Sequence, residues 1–285
     1  MYEHIAAGTD LSATAKIATD RAAWLAERLS AKLTLVHAGP TSEELEEVAR
    51  SYGADVVTEG GSPADVLVEV TERVGADLLV VGSVGMSGPR RFMLGNVPNK
   101  VSHHAPSDLL IVKTDARAER PPDYQRVLVG TDGSPTATKA VEMAASLASK
   151  LGSKTVIVCA YEPPTKAELD RMRADPNDPV DQWGAGKKVA QTPPEFRWRI
   201  AGASQAEDVL ERAEDHARKM GIDAEVRAIE GSPAETLIGL AESERFDVIA
   251  VGSVGMSGAK RFSLGNVPHR VSHHAPTDVL ILRTM

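Results

Sequence analysis

Residues 82–114 read GSVGMSGPRRFMLGNVPNKVSHHAPSDLLIVKT and residues 252–284 read GSVGMSGAKRFSLGNVPHRVSHHAPTDVLILRT, each after an apolar run that opens on an aspartate, Asp77 and Asp247. Aligning 61–114 with 231–284 leaves about 32 of 54 positions identical, far more than two elements of similar pattern would share, so the chain carries an internal duplication. The match extends to the start of each half, where HIAAGTD at 4–10 lines up with RVLVGTD at 126–132. Each half, at roughly 115 to 160 residues, is long enough to bury a core of its own. The expected division is a domain at 1–114, a charged, proline-bearing linker at 115–124 and a domain at 125–285.

In both halves short apolar runs alternate with segments of helical spacing. In the second half the pattern predicts strands at 126–130, 154–160, 224–229, 247–251 and 279–282. It predicts helices at 134–151, from about 204 to 220, at 233–243 and at 266–274. Strands that are apolar throughout, rather than alternately polar, belong to a parallel sheet covered on both faces. Right-handed crossovers then give a doubly wound five-stranded sheet in each half, with ligands expected beyond the carboxyl ends of strands one and four. Asp10, Asp132 and the loops from Gly82 and Gly252 fall at those ends. The last strand of each half would be an open edge, and pairing the two would cover both.

The halves differ in one place. Between its second strand and second helix, the second half carries about 161–203, with Pro163, Pro164, Pro176, Pro179, Pro193, Pro194, Trp183 and Trp198. The first half has only 39–42 there, and a helix trimmed to about 43–51. A loop of that length is either functional, such as a flap that binds a partner, or mobile.

Composition narrows the functional classes. A net charge of -8 argues against the broad basic footprint of a DNA or RNA binder, and 4% aromatic residues are too few for base-stacking platforms. No apolar run approaches the ~20 residues that span a bilayer, and no basic leader precedes the first strand, so a cytoplasmic protein is expected. Cys159 is the only cysteine, which excludes an intrachain disulfide and reads as a small buried apolar residue near a strand end.

Chemistry is concentrated in the glycine loops: Gly82-Ser-Val-Gly85, nine residues, then Gly95-Asn96, repeated as Gly252-Ser-Val-Gly255, nine residues, then Gly265-Asn266. Each runs from a strand to a helix start. Glycine permits positive φ and close ligand approach, and Asn96 and Asn266 stand where a helix N-cap is expected, so the loop reads as a phosphate cradle. It is neither GxxxxGK[ST] nor GxGxxG. Arg91 and Arg261, beside Arg90 and Lys260, either neutralise phosphate or form a solvated loop face. Asp10 and Asp132 either meet a ribose or a metal-linked phosphate, or cap the next turn through Ser12 and Ser134. Adjacent histidines at 103–104 and 273–274 point about 100° apart on a helix. One pair cannot readily clasp an ion, so no metal site is expected and helix-dipole capping is the simpler role.

The G-x-x-G-x9-G loop, together with GTDGS at 130–134 and APTDVLI at 275–281, resembles the universal stress protein family in its tandem form, over nearly the whole chain twice. The resemblance implies a 3-2-1-4-5 sheet and binding of ATP or a related adenine nucleotide such as AMP or cAMP, with or without Mg²⁺. It implies phosphate and ribose contacts from Gly82, Gly85, Gly95, Asn96 and Val97, and from Gly252, Gly255, Gly265, Asn266 and Val267. Asp10 and Asp132 would meet the ribose or triphosphate, and Ala38 and Ala160 would lie against adenine. It also suggests a pseudo-twofold arrangement in which one chain mimics a dimer, with further dimerisation and a protein partner as extensions. Two departures stand out: Asn96 and Asn266 replace the family's Ser or Thr, and Leu11 replaces the glycine found at Gly133. The second site is therefore the better kept.

No nucleophile–base pair or DxD metal pair is apparent, so no catalytic residue is assigned. The expected function is a nucleotide-binding regulatory or sensor protein of the stress response. The alternatives are a slow ATPase or nucleotidyl transferase, and a nucleotide-free interaction scaffold.

Overall fold

The computed structural model describes residues 1–84, 94–114, 123–162, 197–253 and 264–283, with backbone alone at 197–202 and 204. Ten strands form one sheet: β1 His4–Gly8, β2 Lys32–Ala38, β3 Asp55–Glu59, β4 Leu78–Gly82, β5 Asp108–Val112, β6 Arg126–Gly130, β7 Lys154–Tyr161, β8 Ala224–Glu230, β9 Val248–Gly252 and β10 Asp278–Leu282. The helices are α1 Ala13–Leu29, α2 Glu43–Tyr52, α3 Pro63–Val74, α4 Asn96–His104, α5 Pro135–Leu151, α6 Arg197–Lys219, α7 Pro233–Ser243 and α8 Asn266–His274.

The strand order is β3-β2-β1-β4-β5-β10-β9-β6-β7-β8, so each half has the expected 3-2-1-4-5 arrangement. Every pairing within a half is parallel. The halves join where β5 and β10 pair antiparallel, with Leu110 opposite Leu280. That pairing covers the two apolar edges that each half alone would expose.

Alternate strand residues supply the two faces. Ile5 and Ala7 pack under α1, α2, α5 and α6, while Ala6 packs under α3, α4, α7 and α8. Because β1, β4, β6 and β9 are buried on both sides, their sequences are unbroken apolar runs rather than alternating ones.

Polar groups at the seam are matched in pseudo-equivalent pairs. Buried Asp108 accepts from the Tyr2 hydroxyl at 2.7 Å and from the Arg283 backbone N–H at 2.6 Å. Buried Asp278 accepts from the Tyr124 hydroxyl at 2.7 Å and from the Lys113 backbone N–H at 2.9 Å. Asp108 thus joins Tyr2 to the residue just after β10, and Asp278 joins Tyr124 to the residue just after β5.

The second helix of the second half differs from expectation. It starts at Arg197 rather than near Ser204, so the connection from β7 is shorter than the 161–203 read from sequence. The proline-rich part of that connection, 163–196, and most of the linker, 115–122, lie outside the described residues.

Candidate functional site

The strand order puts a switch point, where a crevice is expected, beyond the carboxyl ends of β1 and β4, and another beyond those of β6 and β9. In the first, Gly82 ends β4 and Ser83 is held by its N–H on the Val112 carbonyl, 2.8 Å away. The chain returns at Gly95, whose N–H donates to the Ser83 carbonyl at 2.8 Å, and α4 begins at the next residue. The second crevice repeats this: Ser253 donates to Leu282 at 2.8 Å, and Gly265 donates to Ser253 at 2.9 Å. Each glycine loop is therefore pinched shut at its base by one backbone hydrogen bond.

Gly95 and Gly265 have extended backbones, φ -65° and -62°, so of the two reasons expected for glycine, positive φ does not apply to them. A Cβ on Gly95 would lie 3.4 Å from the Ser83 carbonyl and 3.5 Å from the Val84 Cα, ordinary contact distances, so packing among the described residues does not demand glycine there either. A Cβ on Gly265 would lie 3.4 Å from the Ser253 carbonyl, and one on Gly82 would meet the Thr114 methyl at 3.3 Å.

A second correction concerns the asparagines. Gly95 and Gly265 occupy the N-cap positions, so Asn96 and Asn266 are the first helical residues rather than the caps. Among the described residues no side chain caps either helix, and Pro98 and Pro268 contribute no N–H. Helices α1 and α5 are different, because Ser12 and Ser134 accept from the Ala15 and Ala137 N–H groups at 3.1 Å. The first-turn amides at Asn96–Val97 and Asn266–Val267 thus have no side-chain cap among the described residues. Asn96 and Asn266 are exposed, while Val97 and Val267 are half-buried against the core.

Asp10 and Asp132 lie at the ends of β1 and β6, beside these crevices, and both serve the following turn. Asp10 Oδ1 accepts from the Ser12 N–H at 3.0 Å and from its hydroxyl at 2.5 Å, and Asp132 Oδ1 accepts from the Ser134 N–H at 3.0 Å. This fixes one oxygen of each carboxylate. Ala38 and Ala160 stand at the ends of β2 and β7, partly exposed. Gly252 ends β9 as Gly82 ends β4. Gly85, Arg91, Gly255 and Arg261 lie outside the described residues, as do Arg90 and Lys260.

Sequence reasoning missed His37. Its Nδ1 lies 2.9 Å from the Thr9 carbonyl, which sets the imidazole over the β1–α1 turn beside Ala38. The second half has Cys159 in that position, 6% exposed, with a thiol pKa pushed up to about 11, first by burial and then by Asp132. Only a comparison of the two halves, position by position, would have drawn attention to His37.

The halves differ again beside α1. There α2 has 10 residues where α6 has 23, and a cavity of about 480 Å³ opens between Leu11, Lys16, Asp20 and Tyr52. In the second half the added turns of α6 bury Ala206, Val209 and Leu210, and Val209 lies over Gly133. None of the site residues named from sequence lines the cavity.

A family model described as "Universal stress protein family" matches residues 1–55, 41–113 and 123–283. The chain belongs to the universal stress protein family. Among curated members, Rv1636 of Mycobacterium tuberculosis is 33% identical over 162 residues, covering 56% of this chain and 97% of that one. YxiE of Bacillus subtilis is 29% identical over 162 residues, covering 56% and 99%. These relatives are about half as long, as a duplicated chain requires. Two solved structures share the whole architecture: a universal stress protein of Archaeoglobus fulgidus (TM-score 0.64, 17% identity, 99% of this chain and 98% of that one) and a functionally unknown protein of Pseudomonas aeruginosa PAO1 (TM-score 0.67, 16% identity, 99% and 93%). Among the described residues of this universal stress protein, no helix is long and apolar enough to cross a membrane.

Proposed function

We propose that this universal stress protein binds an adenine nucleotide, ATP or a relative such as AMP or cAMP, at the crevices beyond β4 and β9. Each half, 1–114 and 125–285, is on this reading one nucleotide-binding domain, and the protein acts as a stress-response regulator rather than as an enzyme. The observation that carries the reading is the state of the helix starts. Serine caps α1 and α5; α4 and α8, like α3 and α7, begin without a side-chain cap, but only α4 and α8 of these start behind a glycine pinned to the end of the preceding strand. Uncapped amides at the positive end of a helix dipole, approached over a glycine with no Cβ, suit a phosphate. Asp10 and Asp132, each with one oxygen fixed by its own turn, are the polar groups nearest a bound ribose.

Calorimetric titration of ATP, with and without Mg²⁺, into the parent, Gly95→Val, Gly265→Val and the doubly substituted chain tests this, with circular dichroism confirming that each is folded. Saturable binding that is lost when a loop glycine is replaced supports the reading and identifies the working half. Absence of heat with ATP, AMP and cAMP in the parent overturns it and leaves an interaction scaffold. Phosphate release well above background would favour the ATPase alternative.

A further inference from the structure

The pseudo-equivalent helices α4 and α8 bring their imidazoles together across the seam between the halves. His269 and His273 are one turn apart on α8, with ring centroids at 4.5 Å, and His103 of α4 lies 6.0 Å from His269. All three are half-buried, with the exposed rings of His104 and His274 beside His103 and His273 at 6.5 and 6.2 Å. The fixed charges acting on the cluster are positive: Arg283, just after β10, acts on His103, and Lys113, just after β5, acts on His273.

We propose that this cluster is an acid sensor built into the seam: as the medium turns acid, protons taken up by His103, His269 and His273 repel one another and the flanking Lys113 and Arg283, and so loosen the contact between α4 and α8.

The surrounding elements offer little to offset that repulsion. An imidazolium in the last turn of a helix is ordinarily favoured by the carbonyls there, but the Ser102 carbonyl already accepts from Arg283 at 2.7 Å and the Ser272 carbonyl from Lys113 at 2.8 Å. The neutral ring of His273 already donates from Nε2 to Asn99 Oδ1, 3.2 Å away, so a second proton, on Nδ1, gains no bond there. Carboxylates on the elements packed against these helices are engaged elsewhere. Asp65 of α3 pairs with Lys100 and Glu235 of α7 with Arg270, each at 2.7 Å, and Asp108 and Asp278 accept from the backbone N–H groups of Arg283 and Lys113.

Burial, then His269, His104 and Arg283, hold the His103 pKa below the ordinary 6.5. Burial, then His269, His274, Lys113 and His103, push that of His273 down to about 4. With folded values below the unfolded one, the folded rings stay neutral where the unfolded chain takes up protons. The stability they contribute is therefore complete above about pH 6.5 and is lost as the pH falls toward the folded values. Histidine clusters switch interfaces in this way in the range where imidazoles titrate.

The test uses the full chain without nucleotide, so its outcome is independent of the proposed nucleotide site. Proton NMR of the imidazoles should give a midpoint at about 4 for His273 and one below 6.5 for His103. Between about pH 7.5 and about pH 5, the melting temperature should fall at least about 3 °C further in the parent than in the chain carrying His103→Asn, His269→Asn and His273→Asn together. Amide-exchange protection factors should fall about tenfold over the same range in α4, α8 and the β5–β10 pair of the parent, and less in β2 and β7. His269→Asn installs the residue that the first half carries as Asn99, so this single variant, which should recover part of the difference, serves if the triple one does not fold. Parallel pH dependence of parent and variants, midpoints at or above 6.5 for both His103 and His273, or equal loss of protection in β2 and β7, overturns the proposal.

Discussion

The Asp278 carboxylate accepts the backbone N–H of Lys113 at 2.9 Å, from the opposite half of the chain. The same side chain accepts from Tyr124 and pairs with Arg21 of α1 at 3.2 Å, while the Arg21 guanidinium lies 4.5 Å over the Tyr124 ring. One buried carboxylate therefore ties together the first helix, the second-half tyrosine and the seam.

Asp278→Ala is expected to destabilise the protein by about 3 kcal/mol, because it strands a buried guanidinium and a buried hydroxyl together. Urea unfolding measures this. A loss below about 1 kcal/mol would mean that these groups find water or other partners, and that the seam rests on the apolar β5–β10 contact alone.

Its pseudo-equivalent, Asp108, gives a pH signature. Burial raises its pKa above the ordinary 3.8, opposed by the hydrogen bonds from the Arg283 backbone and Tyr2. With the folded value above the unfolded one, the folded state holds more protons between the two, so this contribution to stability falls as pH rises through that window. Stability of the parent relative to Asp108→Asn should decline from about pH 4 upward and then level off. Urea unfolding at a series of pH values would show it, and a difference that grows with pH would contradict the assignment.

The sheet was legible because β1, β4, β6 and β9 are buried on both faces, and that burial writes uninterrupted apolar runs into the sequence. Duplication then made the seam predictable, since two apolar edge strands of like sequence need covering. Helix starts were harder to read. Asn96 suits an N-cap by type, but the cap position goes to Gly95, whose N–H is held on the Ser83 carbonyl, a tertiary contact that no local preference encodes. The start of α6 was placed too late because the turns from Arg197 precede the apolar positions Ala206, Val209 and Leu210 that revealed the helix. The approach of His103 to His269, with ring centroids 6.0 Å apart, was invisible for a different reason: it depends on how α4 and α8 lie across the seam.

Gly133 and Val209 should be energetically coupled. Gly133 has φ 75°, and a Cβ there would lie 2.6 Å from a Val209 methyl carbon, so Gly133→Ala incurs both left-handed strain and a clash. The expected cost is about 2 to 3 kcal/mol. Val209→Ala removes the clash but not the strain, so the double variant should be about 1 kcal/mol more stable than the sum of the single effects predicts. Additive effects would show that the helix shifts aside instead.

Cys159 should behave as a packing residue. Its thiol is 6% exposed on β7, and its pKa stands at about 11 against an ordinary 9.0, because burial disfavours the thiolate and Asp132 adds to the effect. The thiolate is the reacting species, and a rise of that size lowers its population about 100-fold at pH 8 before any steric shielding. Reaction with a disulfide reagent such as Ellman's should therefore be at least about 100-fold slower in the folded chain than in urea at the same pH. Rates within tenfold of each other would expose the thiol as accessible and would open a redox role to the chain's single cysteine. The slow outcome confines Cys159 to the core under α5 and α6, and leaves the first turns of α4 and α8 as the places to look for function.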